Sequence, residues 1–130
     1  METECLNLKV RALYEEYAEA VEMGELDKAI EAGIKILEEL LEVARKNVLS
    51  VITTPALRET ALNILAHYEQ ELSYVKGARE AAQSMPSIYA VGVEEKALEV
   101  LSRSVNGLFN FVLGALLAIA DVSSCLNSMS

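Results

Sequence analysis

Few residues in this chain could do chemistry, and their spacing decides what each could do. His67 is the only histidine. As a general base it needs a nucleophile or substrate within hydrogen-bond reach. Its neighbours at helical spacing are Thr60, Asn63, Gln70, Glu71 and Tyr74, a polar strip with no distinctive partner. With one histidine, the paired Glu-x-x-His motifs of di-iron bundles are impossible. The carboxylate pairs Glu15/Glu16, Glu38/Glu39 and Glu94/Glu95 are adjacent in sequence. Adjacent residues on a helix point about 100° apart, so each pair reads as a solvated face. Cys5 and Cys125 lie near opposite ends of the chain. In an up-down bundle those ends meet, which leaves a disulfide open to them, with two free thiols as the default. Without a histidine cluster they do not make a zinc site. No glycine-rich phosphate loop or Ser-His-Asp arrangement is present. No catalytic residue, metal ligand or cofactor is therefore assigned, and the chain is read as non-enzymatic.

Two short segments resemble known families. Asn63-Ile64-Leu65-Ala66-His67-Tyr68 resembles part of the motif of the HEPN nucleases, which are helical bundles. That family places an arginine four to six residues ahead of the histidine. Leu62 stands at the nearer position here, and Arg58 lies too far back. The resemblance implies a degenerate HEPN-like nuclease or antitoxin-type bundle, with His67 in a cleft facing a basic residue. Gly24-Glu25-Leu26-Asp27-Lys28-Ala29 resembles the turn of a tetratricopeptide repeat, whose copies of about 34 residues stack in arrays. One copy is present and the helix after it is too long for the repeat, so the implication is a helical hairpin.

The elements that must position these residues are all helical. Leu6, Val10, Leu13, Tyr17 and Ala20/Val21 recur at intervals of three and four, which predicts a first helix from about Thr3 to Met23. Gly24 follows where a left-handed cap needs no side chain. A second helix is expected from about Glu25 to Ile52, with Leu26, Ile30, Gly33, Leu37, Leu40, Ala44 and Val48 on one side. Glu31 with Lys35 and Glu42 with Lys46 are favourably ordered pairs on the other, each contributing a few tenths of a kcal/mol. Thr53-Thr54-Pro55 closes that helix and opens a third, with Thr54 as side-chain N-cap. The third extends to about Gln83, with Leu57, Ala61, Leu65, Tyr68, Leu72, Val75 and Arg79 or Ala82 inward.

Ser84–Gly92 reads as the one long connection. Its apolar residues Met85, Ile88, Tyr89 and Val91 make it either a lid across the bundle end or a candidate partner loop. A fourth helix is expected from near Val93 to about Leu126, either overhanging the bundle or broken near Ser102–Gly107. Two short turns and one loop predict an all-α, four-helix up-down-up-down bundle over residues 1–130 as a single domain.

Within the fourth helix, Val105–Val122 dominates the expectation. Asp121 is its one charge and its apolar residues cover every side. A helix apolar all round needs more cover than a small monomer offers. Gly107, Gly114 and Asp121 trace a small-residue line that allows close helix approach, with Asn106 and Asn110 beside it. A buried asparagine there would fix the register of a helical partner. A homodimer is therefore expected through Phe109, Phe111, Gly114, Leu117 and Ala118. A membrane span is not expected, because the uninterrupted apolar run Phe111–Ala120 is about half what a bilayer requires.

Composition fits this picture. The 130 residues are 52% apolar and 24% charged, with two prolines and no tryptophan. Glu-rich, Gln-poor usage resembles that of thermophiles. The net charge is −9, and the 11 basic residues are scattered, so phosphate backbones would be repelled and nucleic acid is not an expected partner. METECLNLKV has acidic residues where a secretion signal needs basic ones, which predicts a cytoplasmic location. The function expected is a small acidic interaction or scaffold module acting as a homo-oligomer. The alternative class is a binding module for a small apolar ligand or a partner helix.

Overall fold

In a computed structural model of the chain, residues 8–119 are described, and the surroundings of side chains 10–115. The chain is an all-α, four-helix bundle: α1 Leu8–Glu22, α2 Leu26–Val43, α3 Pro55–Gln83 and α4 Ser87–Ile119. No strand occurs among the described residues, and no helix there is long and apolar enough to cross a membrane. Leu6, Cys5, Cys125 and Asp121, and with them the expected pairing of the two cysteines, lie outside the described residues.

The α1–α2 turn forms as its sequence predicts. Gly24 takes φ 72°, and the Glu25 N–H donates to Ala20 O at 2.9 Å while the Gly24 N–H donates to Val21 O at 3.1 Å. Those two bonds satisfy carbonyls that the end of α1 would otherwise leave unpaired.

The second helix departs from the expected regular run to Ile52. After Val43 the chain widens into one π-turn, Ala44–Val48, then tightens into a 3-10 turn, Leu49–Val51. Ala44, Val48 and Leu49 stay buried through the change. The Arg58 guanidinium donates to Leu49 O and ties this end to α3. Thr54 sits at the N-cap position with extended backbone, but its side chain makes no capping hydrogen bond, which corrects the expectation for it. Its carbonyl accepts the Arg58 N–H at 2.9 Å instead.

The core is centred on α2. Ala29, Ile30, Ala32, Gly33, Ile34, Ile36, Leu37, Leu40 and Leu41 are all buried, half of that helix, because α1, α3 and α4 each pack on it. Ion pairs on its flank meet α3 in reverse order: Asp27 and Glu31 meet Arg79 at 3.4 and 3.3 Å, Glu38 meets Lys76 at 2.8 Å, and Arg45 meets Glu69. Such exposed pairs contribute at most about 1 kcal/mol each, so apolar burial carries the fold. Leu57, expected inward, is 61% exposed, since α3 turns only Ala61, Leu65, Val75 and Ala82 fully inward.

α4 is continuous, with no break near Ser102–Gly107. That stretch is where its neighbours come closest. Tyr17 of α1 hydrogen-bonds Ser102, Ser104 is buried, and the Tyr68 hydroxyl of α3 stands where a Gly107 Cβ would be. At 33 residues α4 spans roughly 50 Å. Tyr17 lies opposite Ser102 and Tyr14 packs edge-on against Phe109, so the end of α1 at Glu22 is level with about Ala97. The first ten residues of α4 therefore project past α1 by roughly 15 Å.

Burial, with Tyr17 as a second cause, pushes the Tyr14 phenol up to about 12. Burial also raises Tyr17, against the lowering effect of its bond to Ser102. The folded state thus holds these protons more tightly than the unfolded chain. Below about pH 10 both states are protonated; above it the unfolded phenols ionise first and stability falls. Urea midpoints are expected to drop between about pH 9 and about pH 11, and less so in Tyr14→Phe. Equal midpoints would contradict this reading of the α1–α4 contact.

Candidate functional site: the apolar corner between α3 and α4

Ser84–Gly92 is not a lid, which corrects that expectation. α3 ends at Gln83, and the Ser84 and Met85 N–H groups donate to Ala81 O and Ala82 O at 3.1 and 3.2 Å. Pro86 then supplies the carbonyl that starts α4, accepting the N–H groups of Tyr89 and Ala90 at 3.0 Å each. Helix four begins at Ser87, six residues ahead of the expected Val93. A signal for this was present. Stepping back from buried Ala97 by four and then three reaches Val93 and Ala90, the inward face of the added turns.

A helix here leaves most of its side chains open, because no helix beyond α3 reaches so far along α4. Ile88 is 80% exposed, Tyr89 67%, Val91 47% and Met85 38%. Tyr74 of α3, which the sequence placed only in the polar strip around His67, joins them at 48%. Tyr74, Met85, Tyr89, Gly92, Val93 and Lys96 line a shallow open depression of about 670 Å³. Its lining is almost wholly apolar, and Lys96 is its one charge. Such a surface can hold an apolar face of another molecule.

The expected dimer residues lie elsewhere. Phe109 and Phe111 pack partly buried against the chain's own core, with the Phe109 ring 5.7 Å from Tyr14 at 78°. Gly114 is exposed with open space around it, while the side chains of Leu117 and Ala118 lie outside the described residues. Asn106 and Asn110 are exposed on the single chain. Val105, Leu108 and Val112 are the fully covered line of this segment. Phe109 is twenty residues along α4 from Tyr89, roughly 30 Å, so the two surfaces are separate.

His67 is exposed on α3, with Nε2 2.9 Å from Glu71 Oε1. The other Glu71 oxygen meets Arg103 of α4 at 3.2 Å. His67 also packs edge-on against Tyr68, whose phenol is raised by burial and then by Glu71. The carboxylate thus joins α3 to α4 and takes up the imidazole; the arginine lies beyond it. Among the described residues no group of three or more His, Cys, Asp or Glu side chains could hold a metal ion.

Comparison with protein-family models, with curated proteins and with solved structures finds no match to this chain.

Proposed function

We propose that the chain is a non-enzymatic interaction module, a bundle of up-down-up-down order that self-associates through α4 in the cytoplasm. The observation that carries this reading is the open apolar corner, where Ile88 and Tyr89 are 80% and 67% exposed. Monomers rarely leave contiguous apolar patches beyond about 300–600 Å² in water, and patches of that size mark contact sites. The net charge of −9 supports a protein partner over nucleic acid. The depression is open and shallow, which favours a helix or protein face over a small enclosed apolar ligand.

Light scattering coupled to size-exclusion chromatography tests the reading. At micromolar concentration the expected mass is twice 14.2 kDa. A mass of 14.2 kDa at every concentration would remove self-association.

A further inference from the structure

We infer that the occupant of the α3–α4 corner is the same corner of a second copy, packed about a two-fold axis. The interface is then the projecting start of α4, and not the Phe109–Ala118 face. This rests on the self-association reading and specifies where it occurs.

Three observations single out a second copy. The first is complementarity. Two other depressions among the described residues are lined by carboxylates. The α1–α2 one has Glu16, Glu19, Glu25 and Glu31 with Lys28 and Lys35, and the α2–α3 one has Glu38, Glu42 and Glu69 with Arg45. Seating Ile88 or Tyr89 there would strip water from ion-paired side chains and offer them nothing polar in return. Of these three surfaces only the corner suits the corner. A patch that is its own complement closes as an isologous pair, whereas docking on a different patch would build an open chain of copies.

Area is the second. From their exposures, Tyr74, Met85, Ile88 and Tyr89 leave on the order of 450 Å² open, taking about 200 Å² for a whole aromatic, while Val91 lies round α4 from Tyr89 and is not counted. Two facing corners then bury on the order of 900 Å², the size of a weak, reversible interface. One corner against a small ligand would leave much of that surface wet.

The third is placement. A chain of net charge −9 repels its own copy. The corner projects past α1 by roughly 15 Å, beyond a screening length of about 8 Å at physiological salt. Contact through the projection holds the α1 ends of the two bodies apart while the apolar surfaces meet.

The test compares two exposed positions on α4. Ile88→Glu with Tyr89→Glu places charge in the corner, and Gly114→Glu places charge on the distal face. Circular dichroism and melting confirm that each variant folds. Should the double variant unfold, Ile88→Ala with Tyr89→Ala takes its place. Sedimentation equilibrium is expected to show the wild-type dimer, a dissociation constant raised on the order of 100-fold by the corner change, and none by Gly114→Glu. A dimer that survives the corner change and is broken by Gly114→Glu overturns this inference and leaves the self-association reading standing. Mass that keeps growing past two copies overturns the two-fold closure. A wild type that stays monomeric overturns both.

Discussion

Leu37→Ala is expected to lower the unfolding free energy by roughly 3–5 kcal/mol. Leu37 is fully buried in α2, with Ile34, Ile36, Leu40 and Leu41 buried around it. α1, α3 and α4 all pack on this helix, so no neighbour can move into the space without leaving another contact. The loss combines the transfer energy of the missing atoms with the cavity they leave. For a domain whose whole stability is of order 5–15 kcal/mol, that is a large fraction. Leu57→Ala makes the same chemical change at a side chain 61% exposed, and is expected within about 0.5 kcal/mol of wild type. Urea denaturation of the two variants decides it. Similar losses from both would mean that α2 is not the centre of the core.

A single methyl group at Gly33 is expected to cost up to about 2 kcal/mol net. A Cβ there would overlap Leu101 Cδ2, lie 2.7 Å from its Cγ and stand 3.1 Å from Tyr17 Cε1. Leu101 is fully buried, so it cannot yield without crowding its own neighbours. Overpacking of this kind costs about 1–3 kcal/mol, against a gain of about 1 kcal/mol for replacing a helical glycine by alanine. Gly77→Ala meets nothing within 4 Å and keeps only the gain, about 1 kcal/mol of added stability. The same substitution at two helical glycines therefore has opposite signs. Gly33→Ala that melts above wild type would show that α1 and α4 do not close on α2 as described.

Much of this arrangement was legible in the residues, and the failures have physical causes. Gly24 and Pro55 fixed the ends of α1 and α3, because a left-handed cap and a proline at the first helical turn are local requirements. The three-four spacing found the inward line of α2, with Gly33 on it. It did not find that Ile34, Ile36 and Leu41 are buried as well, since spacing within one helix says which side is apolar but not how many neighbours surround it. That number is set by packing, and it puts the centre of the core on α2. Leu57 failed for the same reason, because beyond Ala61 α3 meets the Leu49–Val51 turn through Arg58 and leaves Leu57 61% exposed. The π-turn at Ala44–Val48 has no sequence signature, since Ala44 and Val48 continue the three-four spacing and stay buried through it.

The corner shows the same division more sharply. Met85, Ile88, Tyr89 and Val91 stood out as apolar residues in what read as a loop. The Pro86 carbonyl instead starts α4, so the expected loop is a helical surface from Ser87 on. Tyr74 could not be assigned to this site from sequence, since its place beside Tyr89 depends on how α3 and α4 cross.

Hydroxyl-radical footprinting across a concentration series tests the central claim most directly, because it reads side-chain exposure at the corner itself. As the mass doubles, labelling of Met85, Ile88 and Tyr89 is expected to fall while that of exposed Leu57 holds constant. Labelling of all four that stays level through the doubling, or a mass that never doubles, would contradict the account.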